Sequence, residues 1–205
     1  GLERVVLWHK EQTILKTNPL SKFQHAFRSR HSCDSALSSA LDAVETVQSQ
    51  GNDAVVLGLD MKGAFDSIKS KQIISALRRR NFAEWFISWY GYFLQHRIII
   101  AELGGETIKR YLKDGTPQGG VLSPLIWNLV FDEFVEEANQ MTGTRMIAFA
   151  DDAFTVISGD STATLQGRCI SFLTKARTWT DQAGLTINAG KTELMHIGQG
   201  APPFL

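Results

Sequence analysis

The sequence predicts an α+β fold in which helices back one face of a β-sheet. Short, β-branched stretches that are typical of strands stand apart from longer stretches with apolar residues at helical spacing. Residues 36, 37, 40, 41, 44 and 47 form such a helical stripe, whereas residues 54–59 are too short and too β-branched for a helix. No repeat or interdomain linker divides the 205 residues, a length that suits one domain or a piece of a larger protein.

The predicted elements follow one another with clear start and stop signals. Asn18-Pro19 ends the first helix, because proline cannot continue it, and Ser32 is a suitable N-cap for the second. Gly104-Gly105 marks the turn of a hairpin. The predicted helices cover residues 2–17, 32–50, 67–80, 82–95, 121–139 and 161–182, and the predicted strands cover 54–59, 97–103, 107–112, a hairpin at 146–157, and a pair at 185–188 and 192–197 around Gly190.

Composition excludes several classes of protein. Apolar residues make up 43% and charged residues 20%, which excludes wholesale disorder, and the longest apolar runs are too short to span a bilayer. Cys33 and Cys169 have no CxxC partner, which excludes a disulfide scaffold or a zinc knuckle and suits a reducing compartment. Since the chain starts at Gly1 without a methionine, we expect an excerpt from a longer polypeptide.

The charges are segregated along the chain, although 21 basic and 21 acidic residues give a formal net charge of zero. Residues 32–60 carry five acids and no base, whereas residues 61–80 carry six bases and one acid. A phosphate backbone responds to the local field, so the basic run 69–80 is a candidate for lying along nucleic acid. A set of solvated helix faces is the alternative.

Two adjacent carboxylates, Asp151 and Asp152, lie inside the otherwise apolar segment 146–157. An unpaired carboxylate in apolar surroundings costs several kcal/mol, and a divalent cation removes that cost because Mg²⁺ prefers oxygen ligands. The alternative is a hairpin turn that uses Asp-Asp, although tight hairpins prefer Asn-Gly or Asp-Gly. Asp60 comes at the end of the predicted strand 54–59, a position where sheet proteins commonly bind ligands. The alternative is that Asp60 is a helix N-cap or a loop acid.

A glycine-rich loop from Asp114 to Pro124 runs into a predicted helix and is a candidate for substrate contacts. Glycines let the backbone approach a ligand closely, and a helix N-terminus attracts phosphate. The loop lacks the GK[ST] of a P-loop, which argues against a Walker-type NTPase, and a plain strand-to-helix turn is the alternative. Lys191 lies in a second glycine-flanked segment, residues 184–192, where it is either catalytic or merely solvated.

Five segments resemble, in order, the successive motifs of reverse transcriptases, and in particular those of the non-LTR (LINE-type) retrotransposon branch. Together they extend from about residue 20 to residue 197. The segments are QHAFRSRHSCDSAL (24–37), VVLGLDMKGAFDSI (55–68), GTPQGGVLSPLIWNLVFDEF (115–134), IAFADDAFTVI (147–157) and GLTINAGKTELM (184–195).

The resemblance implies a reverse-transcriptase palm with partial fingers, that is, an antiparallel sheet backed by helices with its acidic residues on the open face. It assigns residues 1–53 to a partial fingers segment and residues 54–205 to the palm, with finger-like helices at about 67–95. The upstream fingers and the downstream thumb would belong to the parent polypeptide. The reaction would take place inside the cell, in the nucleus for a eukaryotic element, and no membrane partner is implied.

The implied activity is RNA-directed DNA synthesis, with an RNA template, a DNA primer and dNTPs as partners. Two Mg²⁺ ions, or Mn²⁺, would lower the pKa of the primer 3′-hydroxyl and stabilise the departing pyrophosphate. The implied ligands are Asp60, Asp151 and Asp152, with the backbone carbonyl of Met61 as a further one.

The resemblance also implies roles in substrate binding. Phe65 stands where the family carries an aromatic gate against 2′-hydroxyl groups, and Phe149 replaces the family's usual tyrosine without loss of a metal ligand. Two interpretations compete: a silent, domesticated or truncated relic that only binds nucleic acid, and an RNA-dependent RNA polymerase, against which Phe65 argues. The remaining implied residues are Gln118 and Gly119 at the incoming nucleotide, Lys191 as proton donor to pyrophosphate, and Arg28 and Arg30 near the template, or as surface charges.

Overall fold

The structure is a computed structural model that describes residues 2–198, apart from the side chains of Leu2 and Glu11. The helices are α1 (Leu2–Gln12), α2 (Ile14–Thr17), α3 (Cys33–Ser49), α4 (Ala64–Ser67), α5 (Ser70–Arg79), α6 (Glu84–Gln95), α7 (Ser123–Gln140) and α8 (Thr162–Ala183). The strands are β1 (Asp53–Leu59), β2 (Met61–Lys62), β3 (Arg97–Leu103), β4 (Glu106–Leu112), β5 (Thr144–Phe149), β6 (Asp152–Gly159), β7 (Thr186–Ile187) and β8 (Glu193–Ile197).

The chain forms two compact units. The described part of the first unit covers residues 2–19 and 63–130, and that of the second covers residues 20–62 and 131–198. The chain crosses between the units three times, so no single linker separates them. Within the described residues, none of the helices combines the length and the apolar character that a membrane crossing requires.

The first unit is mainly helical and carries one hairpin. Helices α5 and α6 pack on each other, and α6 buries Phe86, Tyr90 and Leu94. The antiparallel strands β3 and β4 form a separate two-stranded sheet whose side chains are largely exposed. The single predicted helix over 67–80 is wrong at its start, because Ile68 has extended backbone and its carbonyl accepts a hydrogen bond from the Gly115 N–H.

The second unit is built on a four-stranded sheet in the order β5-β6-β1-β8, with every neighbouring pair antiparallel. The α+β class and the antiparallel sheet are therefore as predicted. The predicted pairing of strands 185–188 and 192–197 is wrong, since β7 pairs with β2 and β8 pairs with β1. The backbone N–H and C=O groups of β7 and β8 bond to strands that are distant in sequence, and hydrophobic periodicity does not specify such partners.

Helices cover both faces of this sheet, where one face was expected. Val47 of α3 packs with Ala54, Val56 and Val156, whose side chains share one face because every second residue of a strand points the same way. On the other face α8 lies against β6, so closely that a Cβ on Gly159 would meet Leu165. The run of four buried residues in β1 reflects this double coverage.

Candidate functional site

The structure brings Asp60, Asp151 and Asp152 to one end of the four-stranded sheet. Leu59, the last residue of β1, lies opposite Ala153 in the neighbouring antiparallel strand, so Asp60 follows the end of β1 where Asp152 begins β6. Phe149 pairs with Asp152, which leaves Ala150 and Asp151 as a two-residue turn. Ala150 has a φ of 57°, the left-handed conformation that tight hairpin turns require. Asp60 and the adjacent pair Asp151 and Asp152, which are distant from it in sequence, thus converge.

The surroundings of Asp152 disfavour its ionised form. Partial removal from water raises the pKa of Asp152, the charges of Asp151 and Asp60 raise it further, and the ammonium group of Lys191 partly opposes them. Like charges at this spacing make the ionised form of Asp152 unfavourable, which is the condition that a bound cation relieves. Within residues 2–198, however, no three His, Cys, Asp or Glu side chains are gathered closely enough to form a ready-made metal site.

A groove of about 370 Å³ begins at Asp60 and Asp152 and runs beneath α3. Asp60, Asp152 and Lys191 line its polar end. Glu193 lines the groove as well, and most of the remaining wall is apolar and comes from the first turns of α3 and from the facing side of the sheet. These apolar residues include Cys33, Ala36, Leu37, Ala40, Ile147, Phe149 and Phe154. A charged end and an apolar wall suit a ligand that has both a charged part and a flat apolar part.

Asn188 holds Asp60 in place, and sequence reasoning did not identify it. Its side-chain Nδ2 donates to Asp60 Oδ2 at 2.6 Å, and its backbone N–H donates to the Asp60 carbonyl at 2.8 Å. The neighbouring pair Met61 and Ile187 belongs to the β2–β7 ladder, and the Met61 side chain is buried. Asparagine is common in glycine-flanked turns, so the sequence around Asn188 predicted a turn and no functional role for this residue.

In the first unit, the glycine-rich loop is bonded to the turn that carries Phe65. The Thr116 N–H donates to the Phe65 carbonyl at 2.6 Å, and Gln118 Nε2 donates to Asp66 Oδ2 at 2.7 Å. Gly115 has a φ of +79°, and a Cβ there would collide with the Asp66 carbonyl oxygen, so this position requires glycine. The structure therefore brings the predicted nucleotide contact, Gln118, close to the predicted gate.

Phe65 and Gly119 differ in their surroundings. The Phe65 ring is half-buried and packs against Trp127 with a centroid distance of 5.6 Å, which serves a core residue and a gate equally well. Gly119 is exposed, has a φ of +80°, and has nothing within 4 Å of the position of a Cβ. An added side chain at Gly119 would thus meet backbone strain but no steric obstacle within the described residues.

The predicted template residues Arg28 and Arg30 have different environments. The half-buried Arg28 guanidinium donates to the backbone carbonyls of Leu20, Ser21 and Gln24, so it organises its own loop. Burial lowers the pKa of Arg28, and the charge of Asp132 opposes that change. Arg30 is exposed at a φ of 62°.

The basic run 69–80 is only partly a surface feature. Lys71 and Arg78 are exposed, and Arg78 forms an ion pair with Glu84 at 3.1 Å. Arg80, in contrast, is buried and donates to Asn18 Oδ1 at 2.9 Å and to the Pro19 carbonyl at 2.8 Å. Arg80 therefore does not contribute to an exposed basic surface, because its guanidinium joins the chain segment before residue 20 to the end of α5.

Comparison with known proteins identifies the class to which this fold and site belong. The family model described as "Reverse transcriptase (RNA-dependent DNA polymerase)" matches residues 4–204, so the chain belongs to the reverse transcriptase family. A solved telomerase structure from Candida tropicalis, in complex with a TWJ fragment of telomeric RNA, superposes with a TM-score of 0.71 at 12% identity. The match covers 95% of this chain and 33% of that chain, and it supports the palm-like fold.

Relatives in sequence belong to the non-LTR branch. The chain is 26% identical over 208 residues to a Pol polyprotein from the type-1 retrotransposable element R1 of Bradysia coprophila, with 100% of this chain covered. It is also 26% identical over 167 residues to the corresponding R2 polyprotein of Popillia japonica, with 76% covered. The predicted non-LTR reverse transcriptase domain is confirmed. The chain spans only 20% and 28% of the lengths of these two relatives.

Proposed function

We propose that this chain is the catalytic part of an RNA-directed DNA polymerase, which joins dNTPs to the 3′-hydroxyl of a primer on an RNA template. The observation that carries the proposal is the convergence of Asp60, Asp151 and Asp152 at one end of neighbouring strands, beside an open groove. Phosphoryl transfer depends on alignment and charge neutralisation more than on covalent chemistry by the protein. A cluster of acids at the end of a rigid sheet suits that requirement.

Two Mg²⁺ ions, or Mn²⁺ in their place, would be held by these three carboxylates and by the Met61 carbonyl. The raised pKa of Asp152 supports this: partial burial and the charges of Asp151 and Asp60 raise it, and bound cations would balance those charges. When bound, the ions would lower the pKa of the primer 3′-hydroxyl and neutralise charge on the departing pyrophosphate. The chain itself contributes fixed carboxylates, with Asp60 oriented by Asn188.

The remaining roles concern substrate alignment. Lys191 lines the same groove as Asp60 and Asp152, so its Nζ would donate a proton to pyrophosphate. Phe65 would exclude ribonucleotides through contact with a 2′-hydroxyl. Gln118 and Gly119, in the loop bonded to the Phe65 turn, would contact the incoming nucleotide. Arg30, which is exposed, is the better candidate of the two arginines for the template strand, with Arg28 shaping the loop.

The division into fingers and palm stays part of the proposal. Residues 54–205 would form the palm, with finger-like helices at about 67–95, and residues 1–53 part of the fingers. Both retrotransposon relatives are several times longer than this chain, which supports further fingers and a thumb as partners in a parent polypeptide.

Primer extension on an RNA template by the protein at its full natural length tests the proposal. Asp151→Asn keeps the size of the side chain and removes its charge, so incorporation should fall at least about a hundredfold. Asp160→Asn is the matched control, because Asp160 is exposed and follows the opposite end of the same strand, β6. If Asp151→Asn incorporates dNTPs as well as the control does, the assignment is wrong.

A further inference from the structure

Asn188 is the point at which two parts of the proposed active site are joined. Its side chain and its backbone N–H both donate to Asp60, at 2.6 Å to the carboxylate and 2.8 Å to the carbonyl. Its own carbonyl accepts three hydrogen bonds, each at 3.0 Å, from the backbone N–H of Lys191 and from the N–H and Oγ1 of Thr192. Through Asn188, five hydrogen bonds thus link Asp60 to the turn that carries Lys191.

The chemistry of an amide suits this position. A neutral donor fixes a carboxylate in one rotamer without neutralising it, so the negative charge remains available to a cation. A lysine or arginine in the same place would compete with the cation for that charge. The bond is charge-assisted and half-buried, which places it among the stronger hydrogen bonds of a protein.

We propose that Asn188 is a positioning residue, whose side chain holds the Asp60 carboxylate for cation binding while its carbonyl sets the turn that presents Lys191. The proposal rests on the proposed polymerase function, because it assigns Asp60 to the metal. Nothing in the hydrophobic pattern of the last segment suggested this link, since the two residues are 128 positions apart.

The test measures cation binding directly, by electron paramagnetic resonance titration of Mn²⁺ into the protein at its full natural length without nucleic acid. Asn188→Ala removes the side-chain donor and leaves the backbone bonds. Thr192→Val, almost equal in size, is the matched control, because it removes one bond to the Asn188 carbonyl and leaves the amide on Asp60. If the alanine variant unfolds, Asn188→Leu offers a similar shape without a donor.

We expect Asn188→Ala to weaken Mn²⁺ binding about tenfold, as the loss of one charge-assisted hydrogen bond predicts. Asp60→Asn should weaken it further, and Thr192→Val should stay within about twofold of the wild type. In primer extension, added Mn²⁺ should restore much of the activity that Asn188→Ala loses, which a general loss of structure would not allow.

Wild-type binding by Asn188→Ala would overturn the inference, and so would equal weakening by Thr192→Val, since the turn and not the amide would then be responsible. Mn²⁺ binding by Asp60→Asn that equals that of the wild type would overturn it as well. If Mn²⁺ binding depends on Asp60 and Asn188 but the wild type extends no primer, the proposed function fails and the positioning role stands.

Discussion

The ionised Asp152 carboxylate lowers the folding stability of the protein. Its pKa is raised by partial burial and by the charges of Asp151 and Asp60, so the folded protein holds its ionised form less favourably than the unfolded chain does. A raised carboxylate pKa means that the free energy of unfolding decreases as pH rises through the titration range of the group. Perturbed pKa values of this kind cluster at functional sites.

Replacing this charge should therefore stabilise the protein when divalent cations are absent. We expect Asp152→Asn to raise the melting temperature at neutral pH by about 1–2 °C, a small effect because the group is partly solvated. Thermal unfolding in the presence of a chelator, measured at several pH values, checks this. The advantage should shrink as the pH is lowered and the wild-type carboxyl takes up a proton; a variant less stable than the wild type at neutral pH would contradict the expectation.

Site residues that interrupt an apolar segment could be predicted from the sequence, whereas residues that act through long-range hydrogen bonds could not. Asp151 and Asp152 stood out because they interrupt an apolar segment. Asn188 and Arg28 act through hydrogen bonds to particular backbone or carboxylate groups, which depend on where the chain returns in space. No local property of the sequence encodes such a return.

Among the elements, α3 matters most for the site, because its first turns form one wall of the groove. Its N-terminus has a capping box: the Ser32 side chain accepts from the Ser35 N–H, and the Ser35 side chain accepts from the Ser32 N–H. Ser35 Oγ also lies 2.7 Å from Nδ1 of the buried His25. The cap thus connects the start of the helix to the loop that precedes it.

Removing this cap should destabilise the protein without removing any contact in the groove. We expect Ser32→Ala to reduce the free energy of unfolding by about 1 kcal/mol, as is typical for loss of an N-cap serine. Ser38→Ala, at an exposed position past the first turn of the same helix, should be neutral or slightly stabilising, because alanine has the higher helix propensity. Urea titrations of both variants provide the measurement, and equal stabilities would contradict the capping role.

The existence of most elements was predictable, whereas their partners and breaks were not. The β3–β4 hairpin was recognised from its two glycines, and the acid-bearing β5–β6 hairpin from its apolar composition. The split between α4 and α5 arises because the Ile68 carbonyl bonds to the Gly115 N–H, 47 residues further along. The pairing of β7 and β8 with separate strands is likewise a long-range choice.

For the whole molecule, the proposed metal site predicts a link between cation concentration and global stability. A cation that binds only the folded state stabilises it by mass action. At ten times the dissociation constant, Mg²⁺ should raise the melting temperature by about 3–6 °C for a chain of this size. The increase should vanish in Asp60→Asn, and differential scanning calorimetry at several Mg²⁺ concentrations would show it. An equal increase in that variant would indicate binding elsewhere.

Five ordered motifs were enough to predict the family, the α+β class and the antiparallel sheet. They could not predict the organisation into two compact units, because the chain passes between them three times and no linker marks the crossings. They also could not predict that α3 lies on the acid-bearing face, since both faces of β1 are apolar and either could have been the open one.

The two cysteines differ in a way that is useful at the bench. Cys169 is buried, and burial raises the pKa of its thiol to about 11, so it should resist alkylation. Cys33 is exposed and lines the groove. A maleimide dye should therefore attach selectively at Cys33, where its fluorescence would report when an oligonucleotide or an inhibitor occupies the space beside the acids.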